Sequence, residues 1–284
     1  MLRQKIIADA ANELHNMDKD LKRCRHYTTE NDYSIFFVFV VNFVICGGVN
    51  SIEIFLRIDM TMVLWAIPSI VCSWVLIQYT LFLNTIIQRF KTINRTLLKF
   101  GNIDTENEFN AIFVQKIMIH ELVSTDIAYI SYANMRLCEI CNKVSDFYAF
   151  PALIAVTYFM SASTFTVYFL ILTFIKSKFE DSFLVNIDCA SSLLMSLFGL
   201  VTLTTYVTRI TREFGKTATC IHSLLDRCTT LAVKNALITF SDDLLHRNIK
   251  FDSYGIIVLD GFLLQSIFGT IVTYLIILIQ FRSK

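Results

Sequence analysis

Residues 254–281 read YGIIVLDGFLLQSIFGTIVTYLIILIQF. The run holds one acidic residue, Asp260, and no lysine or arginine. A helix needs about 20 apolar residues to cross the hydrocarbon core of a bilayer, and this stretch supplies them. A membrane β-barrel does not fit, because the apolar residues are continuous instead of alternating with period two. Four further stretches share this character, at 34–56, 60–83, 149–175 and 187–208. A central lysine or arginine would cost about 2.5–3.5 kcal/mol on insertion scales, and none of the five holds one there. The expected class is all-α, a multispanning helical membrane protein with five predicted spans.

The rest of the chain agrees. Its 284 residues are 55% hydrophobic and only 17% charged, with a mean hydropathy of +0.56. Two prolines and eight glycines argue for long helices and against turn-rich β architecture. A net charge of +1 gives no reason to expect a nucleic-acid partner.

Charge asymmetry orients the spans. Segments 1–33, 84–148 and 209–253 carry six, seven and seven Lys or Arg, against one, two and two in the segments opposite. Positive residues concentrate on the cytoplasmic side, so the N-terminus is expected inside and the C-terminus outside the plasma membrane. The expected organisation is a cytoplasmic amphipathic helix at 1–33 and a transmembrane hairpin at 34–83. Cytoplasmic helices follow at 84–148, then a second hairpin at 149–208, cytoplasmic anchor helices at 209–253 and a last span at 254–281. The first apolar run starts too late for an ordinary cleaved signal peptide, so the first span is expected to act as the insertion signal.

The three cytoplasmic segments also carry apolar stripes. Ile6, Ala10, Leu14, Met17 and Leu21 recur at helical spacing, as do Ile112, Ile119, Val123, Ile130, Leu137 and Val144. Ile210, Phe214, Ile221, Leu225 and Ala232 repeat the pattern. Three such faces on one side of a membrane need to bury one another, which predicts a helical bundle. A helix break is expected within KFGNIDTENEF, residues 99–109, where Gly101, Asn102 and several carboxylates stop a helix.

Most candidate chemistry is plain. Cys138 and Cys141 form a C-x-x-C on an expected helix, with no second ligand pair to make a zinc site. His120-Glu121 lacks the second histidine of a metalloprotease motif, and no phosphate loop or nucleophile elbow occurs. No metal, cofactor or enzymatic activity is expected. Asn94-Arg95-Thr96 fits the glycosylation pattern but lies on the expected cytoplasmic side, so it should stay unmodified.

The last span is different. At about 100° per residue, Gln265, Gly269, Thr273, Ile276 and Gln280 fall on one narrow face. Small and polar residues in a membrane helix often join helices. The same face would suit a pore wall, where amides and hydroxyls replace ion hydration and an aliphatic ring gates by dewetting.

Thr273–Phe281, TYLIILIQF, resembles the C-terminal signature of insect gustatory receptors: Thr-Tyr, five hydrophobic residues, Gln-Phe. Residues 239–272 resemble the run before that signature, with landmarks at Phe240-Ser241, Leu245-His246, Phe251, Gly255, Asp260 and Leu263-Leu264. FGKTATCIHSLL at 214–225 is similar to the family's preceding helix, and NELHNMDKDL at 12–21 to its first cytoplasmic loop. The resemblance implies seven spans, of which this chain would hold the third to seventh. It also implies a tastant-gated non-selective cation channel assembled as a homo- or hetero-tetramer with other gustatory receptor subunits. The final helix would line the pore, with Gln280 and Phe281 at its constriction and the gate at Phe281 or Ile276. Tastants would bind within each subunit's membrane bundle, where aromatic side chains in the outward halves of the spans would suit a small organic ligand. Tyr158, Phe165, Tyr168 and Phe169, with Trp65, are the candidates, each with packing or lipid contact as the plainer reading. One alternative is a truncated, non-conducting partner that co-assembles with full-length receptors. A G-protein-coupled receptor would need a cytoplasmic C-terminus, against the charge asymmetry.

Overall fold

The computed structural model describes residues 2–22, 24, 34–56, 60–106, 113–176, 182–227, 230–253, 255 and 257–282. In chain order the elements are α1 (Leu2–Leu21), α2 (Ser34–Leu56), α3 (Met60–Glu106), α4 (Phe113–Lys176), α5 (Ser182–Arg227) and α6 (Leu231–Leu245). A hairpin of β1 (Asp252–Ser253) and β2 (Ile257–Val258) then leads to α7 (Gly261–Arg282). The helical class expected from composition is the class observed.

Three helices are much longer than a membrane requires. α3, α4 and α5 run for 47, 64 and 46 residues, so apolar and polar stretches share single helices. Both prolines, Pro68 and Pro151, lie inside helices. Each removes one main-chain donor, a loss that membrane helices tolerate when neighbours compensate. Hydroxyls of Thr80, Thr92 and Thr96 donate to carbonyls four residues earlier, at 2.7–2.8 Å. They are thereby satisfied among apolar neighbours without interrupting the helix.

α3 ends at Glu106, within the stretch where a break is expected, but Gly101 and Asn102 lie inside the helix and not at its end. A single glycine costs a helix only about 1 kcal/mol relative to alanine, too little to end one of this length. Residues 107–112, 57–59 and 177–181 lie outside the described residues. The helix expected from residue 254 begins instead at Gly261. Before it, Asp252 pairs with Val258 and Ser253 with Ile257, antiparallel. Gly255 turns the hairpin at φ 69°, a left-handed conformation open to glycine without a Cβ penalty.

The chain forms two compact units. The first comprises residues 1–32, 82–147 and 209–250. In it Ala10, Leu14, Met17 and Leu21 are buried as their spacing predicts, while Ile6 is exposed. α3 contributes Ile86, Phe90, Ile93 and Leu97, and α4 contributes Ile130, Leu137 and Val144. Ile210 and Ile221 are buried on α5, but Leu224 takes the place expected of Leu225, and Ala232 is exposed. Ion pairs surround this core, between Arg89 and Asp18 and between Lys143 and Glu13, each at 2.7 Å.

The second unit comprises residues 33–81, 148–208 and 251–284. Alanines 149, 152 and 155 and Gly199 let its helices approach closely. A Cβ at Gly199 would stand 3.4 Å from Leu76 Cδ1. Polar contacts also join these helices: Ser73 Oγ donates to Asn42 Oδ1 at 3.0 Å, and the Ser163 and Ser196 hydroxyls meet at 2.8 Å. Such bonds join helices where every polar group needs a partner.

Candidate functional site

Four helices among the described residues contain stretches long and apolar enough to cross a membrane: Ile67–Phe100, Val123–Thr173, Asn186–Arg227 and Gly261–Gln280. The described apolar stretch of α2 is Phe36–Val49. α7 is the least buried of the four.

What α7 buries is one line of aliphatic side chains, Leu263, Ile267, Ile271 and Leu275. Gln265, Gly269, Thr273, Ile276 and Gln280 are all exposed. At about 100° per residue, this weakly polar face is centred about 180° from the buried line. This face is therefore not the one that α7 buries among the described residues. Thr273 Oγ1 donates to the Gly269 carbonyl at 2.9 Å, and a Cβ added at Gly269 would meet nothing within 4 Å. Ile276 is 52% exposed. Phe281 lies in the last turn of α7, but its side chain is outside the described residues.

The start of α7 is held by local chemistry. Asp260 Oδ1 accepts from the Phe262 amide at 3.0 Å, the geometry of an N-cap. The Leu259 amide donates to the Phe251 carbonyl at 2.9 Å, closing the base of the hairpin. Upstream, residues 247–250 are strapped to α4. Ser145 Oγ donates to the Lys250 carbonyl at 3.0 Å, Asn142 Nδ2 to the Asn248 carbonyl at 3.4 Å, and Arg247 Nη1 to Glu139 at 3.2 Å. This strap had no apolar periodicity to announce it, since its contacts end on the polar side chains of Glu139, Asn142 and Ser145, three residues apart on α4.

The aromatic candidates on α4 do not form one cluster. At about 100° per residue, Tyr158, Phe165 and Phe169 share a face, and the Tyr168 ring meets Phe169 edge to face with centroids 6.1 Å apart. Phe165 and Phe169 are exposed, whereas Tyr158 and Tyr168 are half-buried. Trp65 lies within α3, with its side chain outside the described residues.

The cysteine pair is inert. Cys138 and Cys141 are buried free thiols, and burial pushes Cys138 up to about 12 and Cys141 well above the usual thiol range. Among the described residues no three His, Cys, Asp or Glu side chains gather to hold a metal. Asn94 is also inaccessible. Its side chain is buried, donating to the Glu213 carbonyl at 2.9 Å and accepting from Thr217 Oγ1 at 2.8 Å.

Long apolar helices, satisfied intrahelical hydroxyls and an uncovered final helix define a helical membrane protein. A profile of the 7tm chemosensory receptor family matches residues 1–284, and the chain belongs to that family. Two Drosophila melanogaster proteins named as gustatory receptors, 28b and 28a, are similar to it. The first is 24% identical over 268 residues, covering 87% of this chain and 57% of the relative. The second is 26% identical over 159 residues, covering 55% of this chain and 35% of the relative. The chain thus spans little more than half the length of the first relative. The resemblance seen in TYLIILIQF holds over the whole sequence, and the family is one of receptors and not of enzymes.

Several residues on which the sequence resemblance was drawn have structural roles here. Phe240, Phe251 and Leu263 are buried, Gly255 makes the hairpin turn and Asp260 caps α7.

Proposed function

We propose that this chain is a subunit of a tastant-gated, non-selective cation channel in the plasma membrane, with α7 lining a central pore. The observation that carries the reading is the orientation of α7. Its aliphatic line Leu263–Leu275 is committed to its own unit, which leaves Gln265, Gly269, Thr273, Ile276 and Gln280 turned outward. A weakly polar face of this kind at the centre of an assembly would meet water and ions. Gln280 and Thr273 then interact with permeating cations, and Ile276 supplies an apolar ring. In this reading the five apolar stretches of the sequence are the spans, and the charge asymmetry puts the N-terminus inside and the C-terminus outside. Tyr158, Phe165, Tyr168, Phe169 and Trp65 are the proposed contacts for a small organic tastant.

In this reading the subunits assemble as a tetramer, as the family resemblance implies, and α6 offers a seam for association without fixing the number of subunits. Leu231, Ile238 and Leu245 recur every seven residues along one side of it and are exposed. Seven-residue spacing keeps a seam facing a partner helix.

The test is expression of the chain alone and with a full-length relative, recording tastant-evoked current. Current from the chain alone, with ionic selectivity altered in Gln280→Ala, supports the reading. Absence of current alone, with altered current on co-expression, assigns the chain instead the role of a non-conducting partner. A C-terminal tag reached by antibody only after permeabilisation would sink the topology.

A further inference from the structure

A cleft of about 410 Å3 opens between α1 and α4 in the first unit. Its apolar wall includes Leu21 and Ile140, both buried. Its polar wall includes Glu13, Asn16 and Asp20 from α1 and Tyr129, Tyr132 and Arg136 from α4. Clefts of a few hundred Å3 with apolar walls and a few convergent polar groups suit small molecules.

The charges in and around the cleft are unequally matched. Glu13 is held by Lys143, whose Nζ stands 2.7 and 3.0 Å from its two oxygens. Arg136 is also engaged: its Nε donates to the Tyr132 hydroxyl at 2.9 Å, its guanidinium lies 5.5 Å from the Tyr132 ring centre, and Glu139 stands 3.7 Å away. Asp20 has no ion pair or hydrogen bond among the described residues, and neither do the Asn16 amide and the Tyr129 hydroxyl. Lys19 and Lys22 flank Asp20 in sequence but do not line the cleft. The groups left for a ligand are therefore a carboxylate, an amide and a phenol whose side chain is 57% exposed.

We infer that this cleft binds a small protonated amine with an apolar body. A carboxylate supplies the charge-assisted acceptor, an open tyrosine ring attracts the cation, and the buried aliphatic wall takes the body. An anion would have to displace Arg136 from Tyr132 and Glu139, or Lys143 from Glu13. The cleft is remote in sequence from α7, and its occupancy does not depend on the chain conducting.

The test uses the full chain purified in detergent, with phenethylammonium as the probe and 2-phenylethanol as its uncharged counterpart. Saturable binding is followed by saturation-transfer NMR. The amine is expected to bind at least tenfold more tightly than the alcohol. Asp20→Asn should weaken it about tenfold, and Tyr129→Leu about fivefold. Both substitutions are at exposed positions, and circular dichroism verifies that the variants keep their helices. Equal binding of amine and alcohol, or unchanged amine binding in a folded Asp20→Asn variant, overturns the inference. Because no current is measured, either result is independent of the channel proposal.

Discussion

Arg89 and Asp18 form a two-point ion pair, with Nη2 2.7 Å from Oδ2 and Nε 3.3 Å from Oδ1. Their side chains are only 23% and 16% exposed, so the pair pins α1 against α3 with little competition from water. Breaking a fully buried pair costs about 3–5 kcal/mol; with this residual exposure about 1–2 kcal/mol is expected. Asp18→Ala and Arg89→Ala should each lower the melting temperature in detergent, and the double variant should fall by less than their sum. Two single variants that melt like the parent would remove the pair from any structural role.

Asn94 gives a second expectation. Its amide bridges Glu213 and Thr217 within a buried site, and an orphaned partner there costs about 1–3 kcal/mol. Asn94→Ala should destabilise the chain by about that amount, read as a lower melting temperature. Glycosidase treatment of the parent expressed in insect cells should leave its gel mobility unchanged. A mobility shift abolished by Asn94→Ala would contradict the buried placement.

Cys24 supplies a pH dependence. Burial, and then the nearby Asp126 carboxylate, raise its thiol to about 11, above a free-thiol value of about 8.5. Because the folded-state value is the higher one, folding favours the protonated form. That contribution is complete below the free-thiol value and is lost as pH rises through about 11. Maleimide should accordingly label Cys24 slowly in the native chain at pH 7.5 and quickly after denaturation. Equal native and denatured rates, measured by mass spectrometry, would refute this.

The exposed seam of α6 predicts a separation of folding from assembly. Leu231 and Leu245 are 73% and 79% exposed, so Leu231→Ser with Leu245→Ser should leave the melting of a single chain unchanged. Oligomer size by native mass spectrometry should fall. Loss of the fold, or retention of the oligomer, would disconnect α6 from assembly.

On α7 the two gate candidates separate. Ile276 sits within the outward polar face, and Phe281 lies about 100° from Gln280 around the helix. Ile276→Ser should wet the constriction and raise basal current more than Phe281→Ser does. The reverse order would move the gate to Phe281.

Much of this was legible in the sequence because helices write their burial with a period near 3.6 residues. Ala10, Leu14, Met17 and Leu21 declared the inner face of α1 in that way. Hydropathy registers where an apolar surrounding ends and not where a helix ends, so the continuation of α3 beyond Gly101 was invisible to it. The hairpin at 252–258 was hidden for the opposite reason. Its two-residue strands are too short to alternate, and Ile256, Ile257 and Val258 read as the start of a span. The polar face of α7 could be drawn from spacing alone, yet its direction could not. Every other side of the helix is apolar, and only the burial of Leu263, Ile267, Ile271 and Leu275 distinguishes inward from outward.

The hairpin also acts as an indexing stop for α7. Phe251 and Leu259 close its base, and Asp260 fixes the first turn immediately afterwards. The rotational phase of the helix is thus set by a residue count. One residue inserted between Leu259 and Gly261 would advance every side chain by about 100°, turning Gln265, Thr273 and Gln280 away from their common direction while leaving hydropathy untouched. Chain length in this corner is therefore constrained more tightly than the identity of its strand residues.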